Sequence, residues 1–274
     1  MNRTHEFQNE VTNCMNRYFY KMFEKLESED EDLFRDLEIN YFQEYNHVRN
    51  YNQERIRAFN ESSFYEVLLS AISEPITNYN LSDYNDGDRE ELIYSPRIDI
   101  AFSPSIKTKR GKTESIGVYK LSNNVKLFKF LHKLNFVKEI ENNIRNKSND
   151  NLRNYGLDLC YVGCQLEHNE NDYINKRPLH LFGIEIENQK NAKHLMGDFL
   201  NAISLSRIPI VIVPESRLDH LMKMLMFSST IKNLKEVPIY DLLKTVNILT
   251  INQFISVLND LLQREGLNQI TIGD

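Results

Sequence analysis

The chain contains no tryptophan, three cysteines and nine glycines, and no long apolar run. Each shortage excludes something. Cys14, Cys160 and Cys164 form no even set, so there is no disulfide framework of the kind that staples small secreted domains. The glycines are scattered, with neither GxGxxG nor GK[ST] among them, which removes dinucleotide-binding and nucleoside-triphosphate loops. The apolar runs fall far short of the roughly 20 residues that a membrane-spanning helix needs. The opening MNRTHEFQNEVTNC has no apolar signal core. Together with the cysteine usage, this leads to the expectation of a reducing, cytoplasmic setting. A net charge of -6 argues against a general polyanion binder.

What is present is enough hydrophobic sequence, 41% of 274 residues, for one large domain or a core with additions. The charge is unevenly spread. Between Ser105 and Arg153 stand twelve basic residues against four acids, a local balance of +8 in an acidic chain. Such a segment is a candidate phosphate-contacting surface, with Lys107, Lys109, Arg110, Lys112, Lys126, Lys129 and Lys133 as its candidate contacts. The alternative is a solvated helical face with a loop.

Residues 5–50 read as helical, with the acidic run Glu27–Asp32 between two helices. Residues 1–58 are thus expected to be a helical extension, with their Tyr and Phe used for packing. NESSFYEVLLSAIS, residues 60–73, reads as a helix whose Glu66 has capping-box spacing from Ser63, whereas Glu61 has no such structural reason. Tyr94–Pro104 reads as a strand with Asp99 set between Ile98 and Ile100. Val125–Ile144 has helical periodicity, and residues 146–154 read as a loop. Residues 155–167 read as a strand paired with the one that follows near residue 181. Cys160, Cys164 and His168 are spaced by four, but on a strand that separates neighbours by ~13 Å, too far to share zinc. Residues 238–266 read as one or two amphipathic helices, suited to packing or dimerisation.

The centre of the sequence is LHLFGIEIENQKNAKHLMGDFLNAISLS, residues 179–206. Its apolar opening reads as a buried strand, in which Glu185 and Glu187 leave the same face because strand side chains alternate. A helix is expected from about Ala192, then a second buried strand over 208–213. Strand, helix and strand point to an α/β crossover. Two acids on one side of an apolar strand are costly unless they share a cation or a proton. If Asp99 joins them in one sheet, three carboxylates meet. Such a set suits Mg²⁺ or Mn²⁺, one ion or two.

In this order the residues resemble the PD-(D/E)XK nuclease superfamily, the restriction-endonuclease-like fold. The likeness rests on Glu61 in NESSFYEVLL, Asp99 in RIDIAF, Glu185 and Glu187 in GIEIEN, and Lys193-His194 with Gly197-Asp198 in the helix that follows. It covers about residues 60–215. It implies an α/β core with a central mixed sheet flanked by helices, over 59–225, with a basic insertion at 105–153. Helical additions would lie at 1–58 and 226–274. It also implies a Mg²⁺- or Mn²⁺-dependent endodeoxyribonuclease acting on DNA, of restriction or defence type, plausible as a homodimer. Asp99 and Glu185 would be metal ligands. Glu187 stands where most members carry lysine, and would join the metal set. Lys193 would supply the amine from the helix, and Glu61, or else Glu66, would complete the site. A non-catalytic binding module that keeps the fold, and a ribonuclease or structure-specific nuclease, would carry the same residues.

Overall fold

The computed structural model describes residues 3–30, 56–63, 97–104, 106–110, 113–117, 131, 133–158, 180–188 and 192–271. In chain order its elements are α1 (Arg3–Glu29), β1 (Ile56–Ser63), β2 (Arg97–Pro104), β3 (Ile106–Arg110), β4 (Thr113–Gly117) and α2 (Asn135–Asn154). Then come β5 (His180–Ile186), α3 (Ala192–Leu205), β6 (Ser206–Val213), α4 (Glu215–Lys235), α5 (Ile239–Leu243), β7 (Asn247–Thr250) and α6 (Ile251–Arg264). Five strands form one sheet in the order β1-β2-β5-β6-β7, and β3 and β4 pair separately. β2 pairs antiparallel with both β1 and β5, while β5, β6 and β7 are mutually parallel. The protein is therefore α/β with a mixed sheet. Among the described residues no helix is long and apolar enough to cross a membrane.

The expected strand, helix and strand around residue 190 are β5, α3 and β6, with parallel pairing from His180 opposite Ser206 to Ile186 opposite Ile212. All eight residues of β6 are buried. That is the usual condition of a parallel strand covered on both faces. Alternation then divides the core in two. Ile100, Phe182, Ile184, Ile210 and Ile212 pack with residues of α1, α2 and α6, including Phe19, Ile140 and Phe254. Val211, Val213 and Ile248 pack on the opposite face with Leu195 and Phe199 of α3, Leu221 and Leu225 of α4, and Tyr240 of α5.

Several expectations are corrected. The N-terminal helix is part of the core: Phe7, Val11, Cys14, Met15, Tyr18 and Phe19 are buried, and Phe19 meets Phe136 edge-on with ring centroids 5.8 Å apart. Asn60–Ser63 belong to β1 instead of opening a helix, while 64–73, with Glu66, lie outside the described residues. Residues 146–154 continue α2, because their polar side chains serve tertiary bonds. The Ile248 N–H donates to Ser148 Oγ at 2.9 Å, and Asn151 Nδ2 donates to the Ile248 carbonyl at 2.9 Å. These two bonds satisfy the outer edge of β7 in the way that another strand would. Finally, residues 226–274 are not all helical, since they supply β7, four buried residues that close the sheet.

Tyr155 and Gly156 form the turn that ends α2, with Gly156 at φ 65°, instead of starting a strand. Residues 159–179, including Cys160, Cys164 and His168, lie outside the described residues. Both sides of β5 are taken, by β2 and β6, so its expected pairing with residues 155–167 is not the one formed. The C-terminal helix is well specified locally: Thr250 and Gln253 form a reciprocal capping box at its start.

Candidate carboxylate site

Asp99 and Glu185 meet where β2 and β5 stop pairing. The paired register ends at Ile100 opposite Ile184. One residue further, side chains take over from the ladder. The Asp99 N–H donates to Glu185 Oε2 at 3.2 Å, and the Ile186 N–H donates to Asp99 Oδ2 at 2.7 Å. Each carboxylate thus satisfies an amide of the opposing strand. The flanking residues Ile98, Ile100 and Ile184 are fully buried, so the pair is held in an apolar frame. Gly183 lies two residues before Glu185 and therefore on the same face. A Cβ there would fall 1.7 Å from Ser206 Oγ and 2.3 Å from Ile98 Cδ1, so only glycine fits.

Glu187 follows the end of β5, but its N–H still donates to the Ile212 carbonyl, at 2.9 Å. That bond keeps it in the strand's alternation, and its side chain is buried against Asp198 of α3. Asp99 and Glu185 thus meet across β2 and β5, and Glu187 lies just past the end of β5. Asp198 is a fourth carboxyl there, and Asn201, three residues on, reaches Glu185. Among the described residues no Lys, Arg or His forms an ion pair with Glu185 or Asp198.

Electrostatics follow from this packing. Burial, then the charges of Asp99 and Asp198, push the Glu185 carboxyl well above the usual carboxylate range, with Asn201 and the Asp99 amide pulling it back. Burial, a hydrogen bond with Glu187, and the charges of Glu187 and Asp99 push Asp198 up to about 9. At neutral pH Asp198 therefore carries a proton and donates it to Glu187, as two acids in contact must share one. Glu185 Oε1 is buried and has no hydrogen-bond partner. Among the described residues no group of three or more His, Cys, Asp or Glu is already gathered in ligating geometry. Asp99 and Glu185 engage main-chain amides instead, and Glu187 engages Asp198.

The other sequence candidates are placed less closely. Asn60 opposite Ile100 and Ser62 opposite Ile98 set Glu61 at the register position facing Asp99, in one row with Glu185. Lys193 lies in the first turn of α3, and its side chain, like that of Glu61, is outside the described residues. Lys107, Lys109 and Arg110 lie on β3, where Lys109 is paired opposite Glu114. Lys133 is exposed just before α2, and Lys112, Lys126 and Lys129 are outside the described residues. Two basic residues of α2 are used within the helix, Arg145 by Glu141 and Arg153 by Asp150.

The sequence reading did not assign Asp198 and Asn201 to the site. The available signal was their spacing: three apart, on the flank of the buried Leu195–Phe199–Ala202 stripe. No family model matches the chain, and neither a curated protein nor a solved structure does.

Proposed function

We propose that the protein is a Mg²⁺- or Mn²⁺-dependent endodeoxyribonuclease with a restriction-endonuclease-like core. The observation that carries this reading is the buried Oε1 of Glu185, which has no hydrogen-bond partner, beside the carboxyls of Asp99 and Asp198. Hydrophobic packing alone does not call for such an atom, which is stabilised either by a proton or by a bound cation. The donor set is all oxygen, which fits a hard divalent cation. Asp99, Glu185 and Glu187 would hold it. When bound, such an ion lowers the pKa of water and offsets charge on phosphorus.

The chain's own residues set the stage for phosphodiester hydrolysis. In that reaction a water oxygen bonds to phosphorus, the bond to the leaving ester oxygen breaks, and the water's protons end on the departing alcohol and on a base. The apolar frame of Ile98, Ile100 and Ile184 fixes the two central carboxylates. Lys193, early in α3, is the candidate amine for steadying the attacking oxygen, and Glu61 the candidate further acid from β1. The hairpin of β3 and β4 and the basic residues before α2 would contact DNA phosphates. Two copies would cut the two strands.

The test is cleavage of a long mixed-sequence duplex with Mg²⁺ or Mn²⁺, beside EDTA, Asp99→Ala and a single-stranded RNA substrate. DNA fragments that vanish with EDTA and in the variant are expected. DNA bound but uncut with every metal would move the reading to a non-catalytic binding module, and cleavage of RNA alone to a ribonuclease.

A further inference from the structure

We propose that two copies of this chain pair through the outer face of helix α4, with the two helices antiparallel. The inner face of α4 is spent on the core, where Leu221, Met222 and Leu225 are buried. The outer face is apolar as well. Phe227 is 66% exposed and Leu234 74%, with Met226 and Val237 exposed beside them. The other large apolar side chains exposed among the described residues, Tyr20 and Leu200, stand singly on α1 and α3. Single exposures are ordinary, whereas a cluster on a helix that is apolar on both sides marks a face that something covers. Helix α6, in the segment expected to pack or dimerise, is spent on the core: Phe254, Val257, Leu258, Leu261 and Leu262 are all buried.

Charge and spacing select the occupant. Asp219 and Lys223 pair with each other at 2.6 Å, Lys232 pairs with Asp241 of α5 at 2.6 Å, and Lys235 and Glu236 end the helix with opposite charges. The outer face therefore has no net charge. An anionic membrane or an acidic peptide would call for a basic surplus, whereas a neutral apolar face meets its own copy without repulsion. The outward residues His220, Lys223, Phe227, Thr230 and Leu234 recur at alternating intervals of three and four, the spacing by which two helices pack. In an antiparallel pair that spacing sets Phe227 against the small Thr230 of the second copy, and Leu234 against the methylene stem of its Lys223. A parallel pair would set Lys223 against Lys223. A helix of 21 residues is about 31 Å long and about 10 Å wide, so two such faces cover on the order of 600 Å² in total. That is the size of a weak, reversible contact. The inference gives a surface to the two copies of the nuclease reading, but it stands on α4 alone, and its failure would leave that reading untouched.

Sedimentation of the full chain from micromolar to millimolar concentration tests it, with thermal unfolding confirming that each variant is folded. The mass is expected to rise with concentration from the 32.4 kDa of one chain towards that of two. Phe227→Glu should hold it at one chain. Leu234→Lys, which faces Lys223 of the second copy, should weaken pairing at least about 10-fold, because like charges are then juxtaposed. Adding Lys223→Glu to Leu234→Lys should restore part of the pairing, which an antiparallel arrangement allows and a parallel one does not. A single-chain mass at every concentration would overturn the proposal, as would a dimer that survives Phe227→Glu. Flotation of the unaltered monomer, but not of Phe227→Glu, with vesicles of anionic phospholipid would overturn it in favour of a membrane surface.

Discussion

The two faces of the central sheet are made from the same strands and differ by one residue of alternation. On one face Ile100, Phe182 and Ile184 meet α1, α2 and α6 in continuous apolar contact. On the other, Asp99, Gly183 and Glu185 occupy the corresponding rows beneath α3. The first face needs nothing beyond the hydrophobic effect to account for it. The second is apolar over β6 and β7 but, at β2 and β5, crowds acids together and raises the pKa values of Glu185 and Asp198. A chain that packs both faces of β6 so well has, where β2 meets β5, a patch of acids that packing alone does not require.

The largest effect should come from damaging the apolar face. Phe182 is fully buried, with its ring centroid 6.5 Å from that of Phe19. Phe182→Ala should cost about 3–5 kcal/mol, the range for emptying a core aromatic site. Urea unfolding measures it, and a loss below about 1 kcal/mol would mean that α1 is not seated on the sheet as described.

A smaller effect, of distinctive sign, belongs to the acidic face. Asp198 titrates near 9 in the folded protein and near 4 when unfolded. The folded state therefore binds more protons across that interval. The resulting stability is fully present below the unfolded pKa and is lost as pH rises towards 9. Glu185, shifted in the same direction, adds to the trend. In metal-free buffer, stability should fall from pH 5 to pH 9, and Asp198→Asn should flatten the slope. Stability that rises over this range would show that the acids are not packed together.

Much of this contrast was legible in the sequence. Asp99, Glu185 and Glu187 stood out because each interrupts an apolar run, and alternation alone set the two glutamates on one face. The β5–α3–β6 unit was readable from periodicity. Other parts were hidden for physical reasons. Residues 146–154 look like a loop because Ser148 and Asn151 are poor helix formers, yet their side chains are spent on β7. β7 itself is only four residues long, too short for alternation to mark it between two helices. Asp198 was hidden because an acid on a helix is ordinarily solvated, and only the crossover brings it over Glu187. The aromatic residues of α1 gave no sign of which surface they would cover.

The central claim is that the acidic face exists to hold a divalent cation, and thermal unfolding with and without Mn²⁺ tests it most directly. Binding to the folded state alone adds about 2.7 kcal/mol at a hundredfold excess over Kd. The melting temperature of the unaltered chain should therefore rise with Mn²⁺, return with EDTA, and stay unmoved by Mn²⁺ in Glu185→Gln. A melting temperature that is the same with and without Mn²⁺ in the unaltered chain would contradict the account.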